Sequence, residues 1–221
     1  MRDSLKALER DIVRCERCPR LRAWCAEVAQ AKRRAYRDWE YWGRPVPGFG
    51  DPQAAVYVLG LAPGAHGANR TGRVFTGDRS GDWLYRALWE TGFASQPEST
   101  HAGDGLELRG AWIGASVRCA PPGNRPLPGE LAACREYLER EMRLLRRVKV
   151  AVALGRVAHD SFLAVRGLRR ARFAFAHGAV HRAGDVTLLD SYHPSQQNTQ
   201  TGRLTREMLR RVFERAKELA Q

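Results

Sequence analysis

Apolar positions along this chain fall into two patterns. Four short unbroken runs, AAVYVLGL (54–61), GAWIGASVRC (110–119), VKVAVALG (148–155) and VTLLDSY (186–192), are rich in β-branched and aromatic residues. They read as strands buried on both faces. Between them, apolar residues recur at helical spacing. In SGDWLYRALWETG (80–92), Trp83, Ala87 and Leu88 share one face and Gly92 marks the stop. Leu138, Met142 and Leu145 do the same in the segment that starts at Gly129. Further helices are expected over 156–166 and roughly 203–219. Two more precede the first strand, over 2–14 and 20–38, with Pro19 at a helix start. The prolines and glycines of GRPVPGFGDP (43–52) predict a loop, and 93–110 carries no regular pattern.

Strands separated by helices, four times over, predict a three-layer α/β/α fold with a central four-stranded parallel sheet. In such sheets ligands bind beyond the carboxyl ends of the strands. Function is therefore expected in the loops GLAPGAHG, RCAPPGNRP, ALGRVAHD and SYHPSQQN. The first continues to Asp78 as a glycine-rich stretch, LGLAPGAHGANRTGRVFTGD (59–78), of the kind that brings a phosphate close to backbone. It fits no common nucleotide cradle: GANRTGRV puts Arg73 at the P-loop lysine position and Val74 where Ser or Thr would hold magnesium.

A length of 221 residues with 43% hydrophobic content suits one sizeable domain spanning 1–221, with an N-terminal helical segment. No apolar run approaches the ~20 residues of a membrane span, and the charged start MRDSLKALERD is no secretory signal. A cytoplasmic, membrane-free protein is expected. Lys and Arg outnumber Asp and Glu by 37 to 24, a net charge of +13. A GC-rich genome raises arginine without any functional reason, but spread over a folded face this excess suits a polyanionic partner.

Five cysteines, an odd number, argue against a disulfide framework. Cys15 and Cys18 form a Cys-x2-Cys knuckle, while Cys119 and Cys134 bracket a loop and the helix behind it. Four thiolates suit zinc or an iron–sulfur cluster, and spacing alone does not separate the two. Such a centre would staple the N-terminal helices to a strand–helix crossover. Cys25 fits no ligand pattern and reads as packing.

The order of these motifs, Cys-x2-Cys, GLAPGAHGANRTGRVFTGD, VRCAPPGNRPLP with the cysteine that follows it, and SYHPSQQNTQTGR, resembles the iron–sulfur uracil-DNA glycosylases, most closely the family 5 (type b) branch. The resemblance runs from about Cys15 to the last helix. It implies a monofunctional enzyme of base excision repair that flips uracil out of DNA, with other deaminated bases such as hypoxanthine, and hydrolyses the N-glycosidic bond. It implies a 4Fe-4S cluster on Cys15, Cys18, Cys119 and Cys134. It also implies a monomer acting on double- and single-stranded DNA. The alternative is a non-catalytic DNA-binding module with a structural metal; a nucleotide hydrolase is disfavoured by the charge and the absent P-loop residues.

On this resemblance His193 is the donor to uracil O2, Ser195 holds a DNA phosphate, and Phe75 stacks on the flipped base. The backbone of Gly64, Ala65, His66 and Gly67 lies close to the base or its phosphates. Asp78 either orients water and the sugar or caps the following helix, and Asn124 either contacts the base or shapes its loop. Arg70 and Arg73 read as phosphate or loop-packing residues. Two departures stand out: Leu61 occupies the position where related branches carry a catalytic carboxylate or amide, and Ala115 the position of a base-reading asparagine. Losing that amide is expected to relax base selectivity.

Overall fold

The computed structural model describes residues 3–221, so the first residue of the helix expected over 2–14 lies outside the described residues. In chain order the elements are α1 (Leu5–Val13), α2 (Pro19–Ala31), β1 (Phe49–Gly50), β2 (Val56–Gly60), α3 (Ala68–Thr71), α4 (Arg79–Glu90), β3 (Ala111–Ala115), α5 (Pro128–Leu144), β4 (Val150–Leu154), α6 (Arg156–Val165), β5 (Val180–Ala183), β6 (Val186–Ser191), α7 (Gln196–Gln200) and α8 (Arg206–Leu219).

The four apolar runs become β2, β3, β4 and β6, and they pair in parallel as expected. The sheet has six strands, however, ordered β1-β3-β2-β4-β6-β5, because a short antiparallel strand closes each edge. β1 lies inside the segment expected to be loop. β5 is half exposed along its length, so it lacks the continuous apolar run that marks the inner strands.

Side chains alternate across the sheet. Val56, Val58, Ile113 and Val152 pack under α4 and α8 with Leu84, Leu88, Leu209 and Phe213. Tyr57, Leu59, Ala151 and Ala153 face α5 and α6 with Leu138 and Phe162. A third cluster joins α1 and α2 to α5 through Leu8, Ile12, Leu21, Val117 and Tyr137, and it contains all five cysteines.

Within the α5 face a charged group is buried. The Arg118 guanidinium donates to Glu141 Oε2 at 2.6 Å, and the Tyr57 hydroxyl donates to the same oxygen at 2.5 Å. Both charged side chains are only 1% exposed. Burial disfavours the Arg118 charge, but the Glu141 carboxylate outweighs it and the net shift is upward.

Two helices differ from the sequence pattern. The one expected over 20–38 stops at Ala31, where Lys32 takes a left-handed φ of 48°. The chain then crosses toward the 61–78 loop, where the Arg70 guanidinium lies 4.0 Å from the ring centre of Tyr36 and 4.1 Å from that of Trp39. The segment after His193, expected as loop, contains α7, and α8 starts afresh with the Thr205 hydroxyl capping the Met208 N–H. Among the described residues no helix is long and apolar enough to cross a membrane.

Candidate active site

β2, β4 and β6 end side by side, so the loop after β2 and the loop after β6 meet at one edge of the sheet. Phe75 and His193 are brought together there: their ring centres lie 5.8 Å apart at 31°. Two glycines make this possible. A Cβ at Gly60 would sit 2.6 Å from the Phe75 ring, and one at Gly155, which follows β4, would sit 3.3 Å from the His193 Cβ. Phe75 itself holds a φ of +52°, a conformation that costs any residue with a Cβ and clusters at functional sites.

Asn198 Nδ2 donates to the His193 carbonyl at 2.8 Å, which anchors the turn. Burial pushes the His193 pKa down to about 4, so its ring is neutral at physiological pH and keeps an N–H to donate.

The two oxygens of Asp78 face different partners. Oδ1 accepts the Gly81 N–H at 3.0 Å and caps α4. Oδ2 faces the turn at Gly64 and Gly67, where a Cβ at Gly64 would lie 2.7 Å away and one at Gly67 would collide outright. Burial raises the Asp78 pKa. The turn's Ala65 and His66 N–H groups make no backbone hydrogen bond among the described residues, so both are free to donate. Substituting Gly67→Ala is expected to displace Asp78 from both tasks. It should cost about 1 kcal/mol through the lost cap, read by thermal unfolding, and lower any activity of the site alongside.

The rest of the loop is held from behind. His66 Nδ1 is 3.1 Å from the Tyr41 hydroxyl. Arg70 donates to the carbonyls of His66 and Gly77, both at 2.8 Å, tying the ends of the loop together. Arg73 donates to Ser99 at 2.7 Å and Asp104 at 2.6 Å. Burial raises the Asp104 carboxyl, but Arg73 and two backbone N–H groups overcome this and bring its pKa to about 2. Both arginines are buried, which settles them as loop packing and not phosphate contacts.

Ser195 caps α7, accepting the Asn198 N–H at 3.4 Å, and its hydroxyl hydrogen stays available. Asn124 is not brought to Phe75, Asp78 or His193 by any contact. It sits exposed in the loop after β3 with a left-handed φ of 56°. Ala115 ends β3 opposite Gly60, and Leu61 offers the loop only its backbone, accepting from Val117 N at 3.0 Å.

Beyond the carboxyl end of β3, Cys15, Cys18, Cys119 and Cys134 share one apolar nest with Cys25. Cys25 donates weakly to the Ala120 carbonyl at 3.6 Å, as a packing thiol would. Burial pushes the Cys18 thiol up to about 11 and raises Cys134 as well.

The model of the uracil DNA glycosylase superfamily matches residues 47–217, from the segment before β1 to the last turns of α8. The chain belongs to the uracil DNA glycosylase superfamily. It is 54% identical over 216 residues to a protein of Thermus thermophilus named Type-5 uracil-DNA glycosylase, covering 97% of this chain and 98% of that one. A Mycobacterium leprae protein of the same name is 51% identical over 220 residues, covering 98% and 96%. A Type-4 uracil-DNA glycosylase of Sulfurisphaera tokodaii is 25% identical over 223 residues, 99% and 86% of the two chains. Within the superfamily the chain is thus far more similar to these Type-5 relatives than to the Type-4 one.

Proposed function

We propose that this protein is a monofunctional uracil-DNA glycosylase. The observation that carries the reading is the neutral, half-buried His193 facing Phe75 across a gap held open by Gly60 and Gly155. A flipped uracil stacks on Phe75, with its edge toward the free N–H groups of Ala65 and His66. As the N1–C1′ bond breaks, both electrons leave with the base and negative charge grows on O2. The His193 N–H donates to O2, where a neutral donor in a desolvated site stabilises the developing charge. The sugar becomes cationic, and Asp78 Oδ2 lies across the loop to oppose that charge or orient the water that adds at C1′. The water's oxygen bonds to C1′, and the proton it loses passes through solvent to the departing uracil anion, so the products are free uracil and an abasic site.

The loops at the sheet edge contain no lysine to attack C1′, which favours simple hydrolysis over a Schiff base. Ser195 has a hydroxyl hydrogen to spare for a phosphate, and Asn124 stands exposed where bound DNA could reach it. Ala115 and Leu61 leave the base edge without side-chain amide readout, which supports a range extending to hypoxanthine.

Cys15, Cys18, Cys119 and Cys134 gather in one nest and would hold the 4Fe-4S cluster that the family resemblance implies. Such a cluster would supply a structural tie between the α1–α2 hairpin and α5. A cysteine-ligated cluster also suits a reducing compartment such as the cytoplasm. Protein purified without oxygen is expected to be brown and to contain iron; a colourless, zinc-loaded product overturns this assignment.

The test of the activity is incubation with a duplex carrying one uracil, followed by alkali. Cleavage at the uracil position supports the proposal. Binding without cleavage favours the DNA-binding module instead.

A further inference from the structure

A second group of chemistry-bearing side chains lies at the β5 edge of the sheet, and the excision chemistry above makes no use of it. Asp190 on β6 is fully buried. Its Oδ1 is 2.8 Å from His159 Nδ1 on α6, and its Oδ2 is 3.4 Å from His181 Nε2 on β5. One ligand-type atom from each of the three residues lies within 4.8 Å of the other two.

The hydrogens decide what this group needs. His159 Nε2 faces the Phe173 carbonyl at 3.1 Å, and a carbonyl only accepts, so that nitrogen carries hydrogen. In a neutral imidazole Nδ1 is then a bare lone pair, and it points at a carboxylate oxygen. Two lone pairs come this close only with something positive between them. Asp190 Oδ2 is buried as well, and it makes no hydrogen bond among the described residues. A buried carboxylate oxygen left in that state is costly. A proton between Nδ1 and Oδ1 answers half of this and leaves Oδ2 alone. A metal cation answers both halves.

Two imidazoles and one carboxylate suit a borderline dication such as zinc, whereas magnesium and calcium favour all-oxygen sites. A tetrahedral zinc with bonds of ~2.0 Å spaces its ligands ~3.3 Å apart. The neighbour spacings of 2.8 and 3.4 Å straddle that value, and the Ala174 carbonyl, 3.1 Å from His181 Nε2, offers a fourth donor. The bond from His159 Nε2 to a backbone carbonyl is the outer contact that fixes the ring of a metal-bound histidine. Phe175 and Phe173 wall the site, with ring centres 5.6 Å from His159 and 5.7 Å from His181. The His181 side chain is 17% exposed, which gives an ion a way in.

We propose that His159, His181 and Asp190 bind one zinc ion, with the Ala174 carbonyl in the fourth position. On binding, the dication takes the place of the hydrogens held between these atoms, which leave to solvent. Its role is structural. β5 is a half-exposed edge strand that pairs with β6 alone and has no continuous apolar face to hold it. The ion pins that edge to α6, to β6 and to the segment at Ala174.

The test uses cobalt(II), which shares zinc's ligand preferences and absorbs visible light. It is added to the holoprotein, purified without oxygen and dialysed against a chelator, and followed in difference spectra and by elemental analysis. Wild type should take up one cobalt per chain with weak d–d bands and no intense thiolate charge-transfer band, so that the cysteine nest is not its seat. Zinc should displace the cobalt and raise Tm. His181→Gln, a change on an edge strand outside the core, should weaken cobalt binding by more than the ~10–100-fold that loss of an outer contact costs. It should also abolish the rise in Tm. Asp190→Asn should do the same, with iron content unchanged in both variants. His101→Gln, an exposed histidine outside the group, should bind as wild type does.

Three results overturn the proposal: no cobalt uptake by wild type, uptake through thiolates alone, or uptake that His181→Gln leaves unchanged. None of these readouts involves excision, so their failure and that of the glycosylase reading are distinct.

Discussion

Replacing Glu141 by leucine is expected to destabilise the protein by about 3–5 kcal/mol, the usual cost of stripping one partner from a buried ion pair. The Arg118 guanidinium would remain 1% exposed, with the carboxylate at 2.6 Å gone. Its Nε and Nη1 already lack partners, so nothing else is in place to take up the charge. The Tyr57 hydroxyl would lose its acceptor at the same time. For a chain of this length the change should appear as a fall of roughly 6–20 °C in Tm. The double variant Arg118→Met with Glu141→Leu should recover most of the loss, because apolar replacements of both partners remove the desolvation cost together. A Glu141→Leu protein with unchanged Tm would show that water reaches Arg118.

The second large effect falls on chemistry. His193→Ala removes the donor to O2 while leaving Phe75 and the loop amides in place. Loss of one such donor costs roughly 10²–10³-fold in kcat, and KM should change little because O2 carries little charge in the ground state. The pH profile offers an independent check. With a pKa of about 4, His193 stays neutral across the neutral range. The wild-type rate should therefore show no inflection between pH 6 and 8, where a histidine near its ordinary 6.5 would produce one. An inflection at 6–7 that vanishes in His193→Ala would mean that the ring is more hydrated than its burial implies.

Much of this architecture was legible because the inner strands are buried on both faces and therefore write continuous apolar runs. β5 does not: Val180 and Arg182 are exposed, and the strand is specified by pairing with β6. The end of α2 was hidden for a different reason. AKRRAYRDWEYW contains no glycine or proline to stop a helix, and the break at Lys32 is imposed by the stacking of Tyr36 and Trp39 on Arg70.

The candidate loops were legible because strand ends determine where they lie, and Phe75 and His193 do meet there. Asp78 reads in the sequence as cap or site residue alike; its Oδ1 caps α4, while its Oδ2 faces Gly64 and Gly67, a division no linear pattern shows. Asn124 was chosen for its residue type in a strand-end loop, and it stands exposed in that loop. The buried contact of His159 with Asp190 was invisible because the two come from separate elements 31 residues apart. Each reads alone as an isolated polar residue in an apolar segment.

The central claim is that this chain hydrolyses the glycosidic bond of uracil in DNA through His193. The most direct measurement is single-turnover release of free uracil from a duplex carrying one uracil, with wild type and His193→Ala side by side at saturating protein. The account predicts free uracil and alkali-labile sites in equal amounts from wild type, and the same products from His193→Ala roughly 10²–10³-fold more slowly. Equal rates from the two proteins, or no uracil from wild type that binds the duplex, would contradict it.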